Sequence, residues 1–133
     1  MDRFYIVTND GKDPDRQVTG KVKRLLEDGG KTCILCEKDE QKVIIPESVP
    51  DAIDCAVVIG GDGSLIEVAR LFRDRNVPVL GINMGTLGYL TEVELCHLDD
   101  AMRQILRGDY AKEERMMLEG IFEDGSADVS LND

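Results

Sequence analysis

The sequence is poor in basic residues, in histidine and in aromatic rings, and each shortage narrows the possible functions. Its 133 residues include 16 Lys and Arg against 27 Asp and Glu, which gives a formal net charge of −11. Because nucleic acids and anionic lipids select for basic surfaces, we expect no nucleic acid and no membrane as partner. The single histidine, His97, is expected at the surface rather than in a catalytic role. With three Phe, three Tyr and no Trp, a stacking site has few rings to use.

Long hydrophobic runs are also missing. No stretch of about 18 apolar residues, the length that a membrane-spanning helix needs, occurs in the chain. The chain starts MDRFYIVTND, without the basic region and following apolar stretch of a signal peptide. The sequence therefore predicts a cytoplasmic location.

Four cysteines, Cys33, Cys36, Cys55 and Cys96, include one C-x-x-C pair within KTCILCEK. Redox pairs of this kind lie at a helix start, where the dipole lowers the thiol pKa, but this segment is typical of a strand. In a strand the thiols of Cys33 and Cys36 point to opposite faces. A structural zinc site usually needs a second close pair, which is missing. We expect buried, reduced, structural thiols and no metal ligands.

Short apolar runs alternate with amphipathic stretches, which predicts a parallel sheet flanked by helices. The predicted strands cover residues 3–9, 31–36, 55–59 and 77–82. The predicted helices begin at Asp13-Pro14, at Ser64 and at Asp99, and end at Gly29, Arg73 and Gly108. We therefore expect an α/β fold over residues 1–108, a three-layer αβα domain with a mainly parallel sheet.

Two further segments lie outside this alternation. Residues 37–53 are charged, contain Pro46 and Pro50, and are interpreted as a surface connection. Residues 109–133 predict a strand, an Asp-Gly turn and the start of another strand, which indicates an incomplete all-β C-terminal domain. Because its last predicted strand would lack partners, we expect the second domain to be cut short and the chain to be a fragment.

The strongest local feature is VVIGGDGSLIEVA, in which a buried strand runs into Gly60-Gly61-Asp62-Gly63 and then into a helix. The glycines let a ligand approach the backbone. The free N–H groups and positive end of the following helix favour a phosphate. Beside phosphates, the Asp62 carboxylate could bind Mg²⁺ or accept the proton of an attacking hydroxyl. The turn alone leaves a second interpretation open, in which Asp62 only caps the helix.

A second glycine-rich loop, NMGTLGYL at residues 83–90, follows the next predicted strand. The carboxyl ends of parallel strands meet at one edge of the sheet, where open α/β sheets bind ligands. Asn83 offers a donor and an acceptor for a base or a ribose. Tyr89 supplies one of the few rings available for stacking. The two loops together therefore predict a nucleotide site.

These segments resemble the NAD kinase family. The matching motifs are GGDG at residues 60–63, LGINMGTLGYLTEVE at residues 80–94 and LND at residues 131–133, in the family's order and spacing. The resemblance covers essentially the whole chain. The middle motif is the specific one, because GGDG alone also fits diacylglycerol kinase-like lipid kinases and 6-phosphofructokinases.

The resemblance implies an enzyme that phosphorylates the adenosine 2′-hydroxyl of NAD⁺ with ATP to give NADP⁺. Mg²⁺ or another divalent cation would accompany ATP. Residues 1–108 would be the nucleotide-binding catalytic domain. Asp62 would be the catalytic residue that takes the hydroxyl proton, and Gly60, Gly61 and Gly63 would hold phosphates of ATP or of NAD⁺.

The same resemblance implies further contacts to NAD⁺. Asn83 and Tyr89 would hold the adenine end, and Asn132 and Asp133 would contact ribose hydroxyls. The remaining contacts would come from the second domain and from a neighbouring subunit, so a homo-oligomer is expected for the full-length protein. For this reason we expect the 133 residues alone to make no NADP⁺.

One position departs from the family's pattern. Many members carry a basic or polar residue five positions after the catalytic aspartate, where this chain has Glu67. The departure leaves the preferred phosphate donor open, ATP or polyphosphate. Two alternative functions also stay open: a lipid or sugar kinase that shares GGDG, and a catalytically silent nucleotide-binding module.

Overall fold

The computed structural model describes residues 1–84 and 93–108. Within these ranges the strands are β1 (Arg3–Thr8), β2 (Thr32–Leu35), β3 (Cys55–Gly60), β4 (Val79–Asn83) and β5 (Val93–Glu94). The helices are α1 (Gln17–Asp28), α2 (Asp62–Leu71) and α3 (Leu98–Leu106), with 3-10 turns at Pro46–Ser48 and Leu95–His97. No helix in these two ranges is long and apolar enough to cross a membrane.

The five strands form one parallel sheet in the order β2-β1-β3-β4-β5. All six residues of β3, the central strand, are buried, which explains its uninterrupted apolar sequence. Alternate residues of β3 face opposite layers of the core, with Ala56 and Val58 on one face and Val57 and Ile59 on the other. The sheet is therefore covered on both sides.

The helices divide between the two faces. Leu65, Val68 and Ala69 of α2 belong to the first core cluster, whereas α1 and α3 supply the second, through Val22 and Met102 among others. Each such aliphatic side chain, when fully buried, stabilises the fold by roughly 1.5–3 kcal/mol. The predicted α/β class, a three-layer αβα domain with a parallel sheet, is confirmed. The predicted all-β segment, residues 109–133, lies outside the described residues.

The start of α1 differs from the prediction. The helix begins at Gln17, because Arg16 adopts a left-handed backbone with φ of 54° immediately before it. Asp13 nevertheless contacts the first turn of α1. Its buried carboxylate accepts hydrogen bonds from the backbone N–H of Val18 (3.4 Å) and of Thr19 (3.0 Å). The prediction of Asp13 as the N-cap and Pro14 as the first helical residue is therefore wrong, since the N-cap is Arg16, although the Asp13 carboxylate does accept N–H groups of the first turn.

The connection between β2 and β3 is not confined to the surface. Ile44 and Val49 are 5% and 7% exposed and join the core cluster under α2. The backbone of Lys38 forms an isolated antiparallel bridge with Ile44. The apolar residues of KVIIPESV therefore pack into the core, although the charged residues and prolines around them indicated a surface segment.

The prediction of buried cysteines holds only in part, because Cys55 is buried whereas Cys33 and Cys36 are half-buried. Cys33 packs in one core cluster and Cys36 in the other, so the C-x-x-C thiols do lie on opposite faces. No disulfide joins the four cysteines, all of which lie in the described ranges. Cys96, however, is exposed, because it falls in a 3-10 turn ahead of α3 rather than in a strand. His97, in the same turn, is exposed as expected.

The third helix also begins differently from the prediction. It starts at Leu98, so Asp99 lies in the first turn and not at the cap. The Asp99 carboxylate is 3.1 Å from Nζ of Lys21 on α1. This ion pair is exposed, and such pairs contribute little to stability.

Candidate functional site

The strand order reverses between β1 and β3. From β1 the chain crosses to β2 on one side, whereas β3 lies on its other side. The loop after β1 leads to α1 on one face of the sheet, and the loop after β3 leads to α2 on the opposite face. Loops that diverge in this way leave a crevice at the carboxyl edge, where open α/β sheets bind ligands.

The glycine turn lies at this crevice. Gly60 is the last residue of β3, Gly61 is the N-cap of α2, and Asp62 is the first helical residue. The helix thus begins two residues earlier than the predicted Ser64, and Asp62 is neither a loop residue nor the cap. The unpaired N–H groups of a helix's first turn and its dipole favour an anion at this position. The Asp62 side chain is half-buried there.

The fold requires only one of the three glycines. A Cβ on Gly60 would lie 2.8 Å from Oγ of Ser64 and 3.1 Å from Cβ of Asn9, so a side chain cannot fit. Gly61 has an extended backbone, with φ of −139°, and a Cβ there would meet only the mobile end of Lys12. A Cβ on Gly63 would meet no described atom within 4 Å. Since glycine weakens a helix, its presence at position 63 has no explanation in the described packing.

The loop after β1 forms the other wall of the crevice, and Asn9 fixes it. The backbone N–H of Asn9 donates to the carbonyl of Ile59 on β3 (2.8 Å). Its side-chain amide donates to Oγ of Ser64 in the first turn of α2 (3.2 Å), and its Oδ1 accepts from the N–H of Gly11 (3.0 Å). The two loops are therefore joined to each other by hydrogen bonds.

A buried polar cluster supports this wall. The hydroxyl groups of Thr8 and Thr19 are 2.6 Å apart, and the Thr19 hydroxyl donates to Oδ2 of Asp13 (2.8 Å). Burial alone would raise the pKa of Asp13, but the hydrogen bonds from Thr19 and Val18 outweigh it and lower that pKa. The cluster thus anchors the end of β1 to the start of α1.

The second glycine-rich loop begins beside the first. Asn83 pairs in register with Gly60, and the N–H of Met84 donates to the carbonyl of Gly60 (2.8 Å). The structure thus brings Asn83 next to the glycine turn, as the sequence predicts. The residue is 4% exposed. Tyr89, Asn132 and Asp133 lie outside the described residues.

Glu67 projects from the exposed side of α2. Burial raises the pKa of the Cys36 thiol, and the charge of nearby Glu67 adds to that rise. Glu67 therefore lies towards the loop that follows β2 and faces solvent. Among residues 1–84 and 93–108, no three His, Cys, Asp or Glu side chains are grouped so that they could hold a metal ion.

Fold and site together define an αβα domain with a glycine turn and an aspartate at the point of strand reversal. The family model of the ATP-NAD kinase N-terminal domain matches residues 15–110. The NAD kinase of Lachnospira eligens is 37% identical over 144 residues, which cover 100% of this chain and 49% of that protein. The NAD kinase of Geotalea daltonii is 47% identical over 91 residues, or 65% of this chain and 32% of the relative. That of Geobacter metallireducens is 51% identical over 82 residues, or 62% and 29%.

The chain belongs to the NAD kinase family. It spans about half the length of the Lachnospira relative and less of the other two. The family identified from the GGDG and NMGTLGYL motifs is therefore confirmed. The sequence interpretation missed the contribution of the β1 loop, from Asn9 to Asp13. The signal was available in principle, because a polar TNDGKD segment follows the first strand of a parallel sheet.

Proposed function

We propose that this chain provides the nucleotide-binding and catalytic part of an NAD kinase, which transfers the terminal phosphoryl group of ATP to the adenosine 2′-hydroxyl of NAD⁺. The observation that carries the proposal is the position of Asp62. It is the first residue of α2, directly after Gly61, at the reversal point of the sheet in a chain of this family.

Asp62 accepts the proton of the 2′-hydroxyl. Phosphoryl transfer passes through a loose transition state, so the hydroxyl loses its proton late and a positioned carboxylate suffices as acceptor. The turn at Gly61 and Gly63 holds phosphate through backbone N–H groups, which a strongly acidic chain needs in place of a basic surface.

Mg²⁺ fits this site as an ion that arrives with ATP. Proteins usually bind Mg²⁺ through one or two carboxylates together with substrate phosphates, and Asp62, the carboxylate in the first turn of α2, would be the one nearest to it. When bound, the ion would supply charge neutralisation at the phosphoryl group, while Asp62 keeps the role of proton acceptor. We assign Asn83 and Tyr89 to the adenine end of NAD⁺, and Asn132 and Asp133 to its ribose hydroxyls. A cytoplasmic location and a homo-oligomer remain part of the proposal.

The test is NADP⁺ formation by the product of the complete reading frame that encodes these residues, with NAD⁺, ATP and Mg²⁺. The Asp62→Asn variant should lose about 100-fold or more in kcat, the range expected for a removed general base. Asp74→Asn is the matched control, because Asp74 is exposed in the segment after α2, at the opposite end of that helix. A parent that binds NAD⁺ but makes no NADP⁺ would instead identify a silent nucleotide-binding module.

A further inference from the structure

Lys12 lies over the glycine turn. Its Nζ atom is 2.8 Å from the position that a Cβ on Gly61 would occupy. The Lys12 backbone is fixed, because its N–H donates to the carbonyl of Asn9 (3.0 Å), which is itself bonded to β3. The ammonium group therefore projects from a hydrogen-bonded loop onto the N-cap of α2, although the side chain is exposed to solvent.

Two of the three carboxylates between β1 and α1 are engaged elsewhere. Asp10 pairs with Arg16, with 3.0 Å between Oδ1 and the guanidinium nitrogen. Asp13 is 4% exposed and accepts hydrogen bonds from Thr19 and Val18. Within residues 1–84 and 93–108, Nζ of Lys12 makes no hydrogen bond and no ion pair. The chain has a net charge of −11, yet the ammonium group of Lys12 lies beside a turn that favours anions and pairs with none of the described carboxylates.

Two other cations at this edge, Lys38 and Arg16, form contacts that stabilise the fold. Lys38 donates from Nζ to the carbonyl of Thr8, the last residue of β1, at 2.6 Å. Arg16 holds Asp10 and, through its left-handed backbone, sets the start of α1. Among the described residues, Lys12 is the cation that lies against Gly61, where a bound anion would sit.

We propose that the ammonium group of Lys12 binds a nucleotide phosphate held at the Gly61–Gly63 turn. The proposal rests on the proposed function and adds a phosphate-binding residue from the β1 loop to it. The geometry explains why position 61 carries glycine although its backbone is extended: a side chain there would separate Lys12 from the phosphate. The phosphate belongs to ATP or to NAD⁺, since both contain phosphate groups that an ammonium group can bind.

The test compares Lys12→Met, Lys12→Arg and the parent, all from the complete reading frame. Lys23→Met is the matched control. It removes the same charge from the middle of α1, where the ammonium group of Lys23 pairs with Glu27 at 3.2 Å and not with the glycine turn. The measurements are KM and kcat for ATP and for NAD⁺, and calorimetric binding of ATP, of NAD⁺ and of inorganic tripolyphosphate without turnover.

Loss of one charge-assisted hydrogen bond should weaken nucleotide binding by about 10- to 100-fold in Lys12→Met, with partial recovery in Lys12→Arg. A rise in KM for ATP identifies a donor phosphate, and a rise in KM for NAD⁺ identifies the acceptor pyrophosphate. Unchanged affinity for all three ligands in Lys12→Met overturns the proposal. A fall in melting temperature and in kcat without any change in affinity would also overturn the proposal. If the parent made no NADP⁺, the binding measurements would still decide the role of Lys12.

Discussion

Gly60 and Gly63 belong to the same turn, yet alanine at each should act on a different property. At Gly60 the new methyl group would lie 2.8 Å from Oγ of Ser64 and 3.1 Å from Cβ of Asn9. Asn9 and Ser64 are the two residues whose side-chain hydrogen bond joins the loops, so neither side chain can move aside without breaking that bond. Overpacking of this kind costs about 1–3 kcal/mol. For a domain of this size that corresponds to a melting temperature lower by roughly 3–15 °C.

At Gly63 the same substitution meets no described atom within 4 Å, and the residue is already helical. Alanine there should leave stability unchanged or raise it by up to about 1 kcal/mol, because glycine is the poorer helix former. Its methyl group would nevertheless occupy the approach of the phosphate to the first turn. We therefore expect Gly63→Ala to be stable and, if the proposed function holds, to form much less NADP⁺ than the parent.

The assay pairs a thermal melt with NADP⁺ formation for both variants and the parent. The expected result is a dissociation of the two readouts: stability falls in Gly60→Ala, and activity falls without loss of stability in Gly63→Ala. A Gly63→Ala protein that retains full activity would refute the assignment of the turn to phosphate binding. A Gly60→Ala protein as stable as the parent would refute the packing argument.

Three further predictions concern the frame of the site. Asp13 has a lowered pKa in the fold, so its stabilisation is present above its unfolded pKa of about 4 and is lost as pH falls through the folded value. Urea unfolding should show Asp13→Asn about 1–3 kcal/mol less stable at pH 7, with a flatter acid limb. Gly29→Ala should lower the melting temperature by a few degrees, because its Cβ would collide with the Leu106 side chain. Asn9→Ala should clearly raise KM for nucleotide and lower the melting temperature only slightly, since it releases the β1 loop from α2.

The layers of the fold were predictable because their signals are local. An uninterrupted apolar run at residues 55–59 indicates a strand buried on both faces, and it became β3. Element boundaries were less accessible: α1 starts late because Arg16 is left-handed, which no residue preference indicates. The strand Val93–Glu94 has two residues, too short for any alternation to be visible.

The candidate site was predictable only where its residues are consecutive. Gly60 to Gly63 form one motif, and Asn83 is the last residue of a strand that its apolar run identifies, so both loops could be placed at one edge. The wall formed by Asn9 and Lys12 depends on which strand neighbours which. That order is a property of the whole sheet, and it becomes visible only once β1 is known to lie beside β3.

The most direct test of the central claim follows the terminal phosphoryl group itself. ATP labelled in that group is incubated with the full reading-frame product, Mg²⁺, and either NAD⁺ or 2′-deoxyadenosine NAD⁺, which lacks the acceptor hydroxyl. The account predicts label in NADP⁺ with the first acceptor, none with the second, and loss of transfer in Asp62→Asn. Label released only as free phosphate, or transfer that Asp62→Asn leaves intact, would contradict the assignment of this turn as the catalytic site of an NAD kinase.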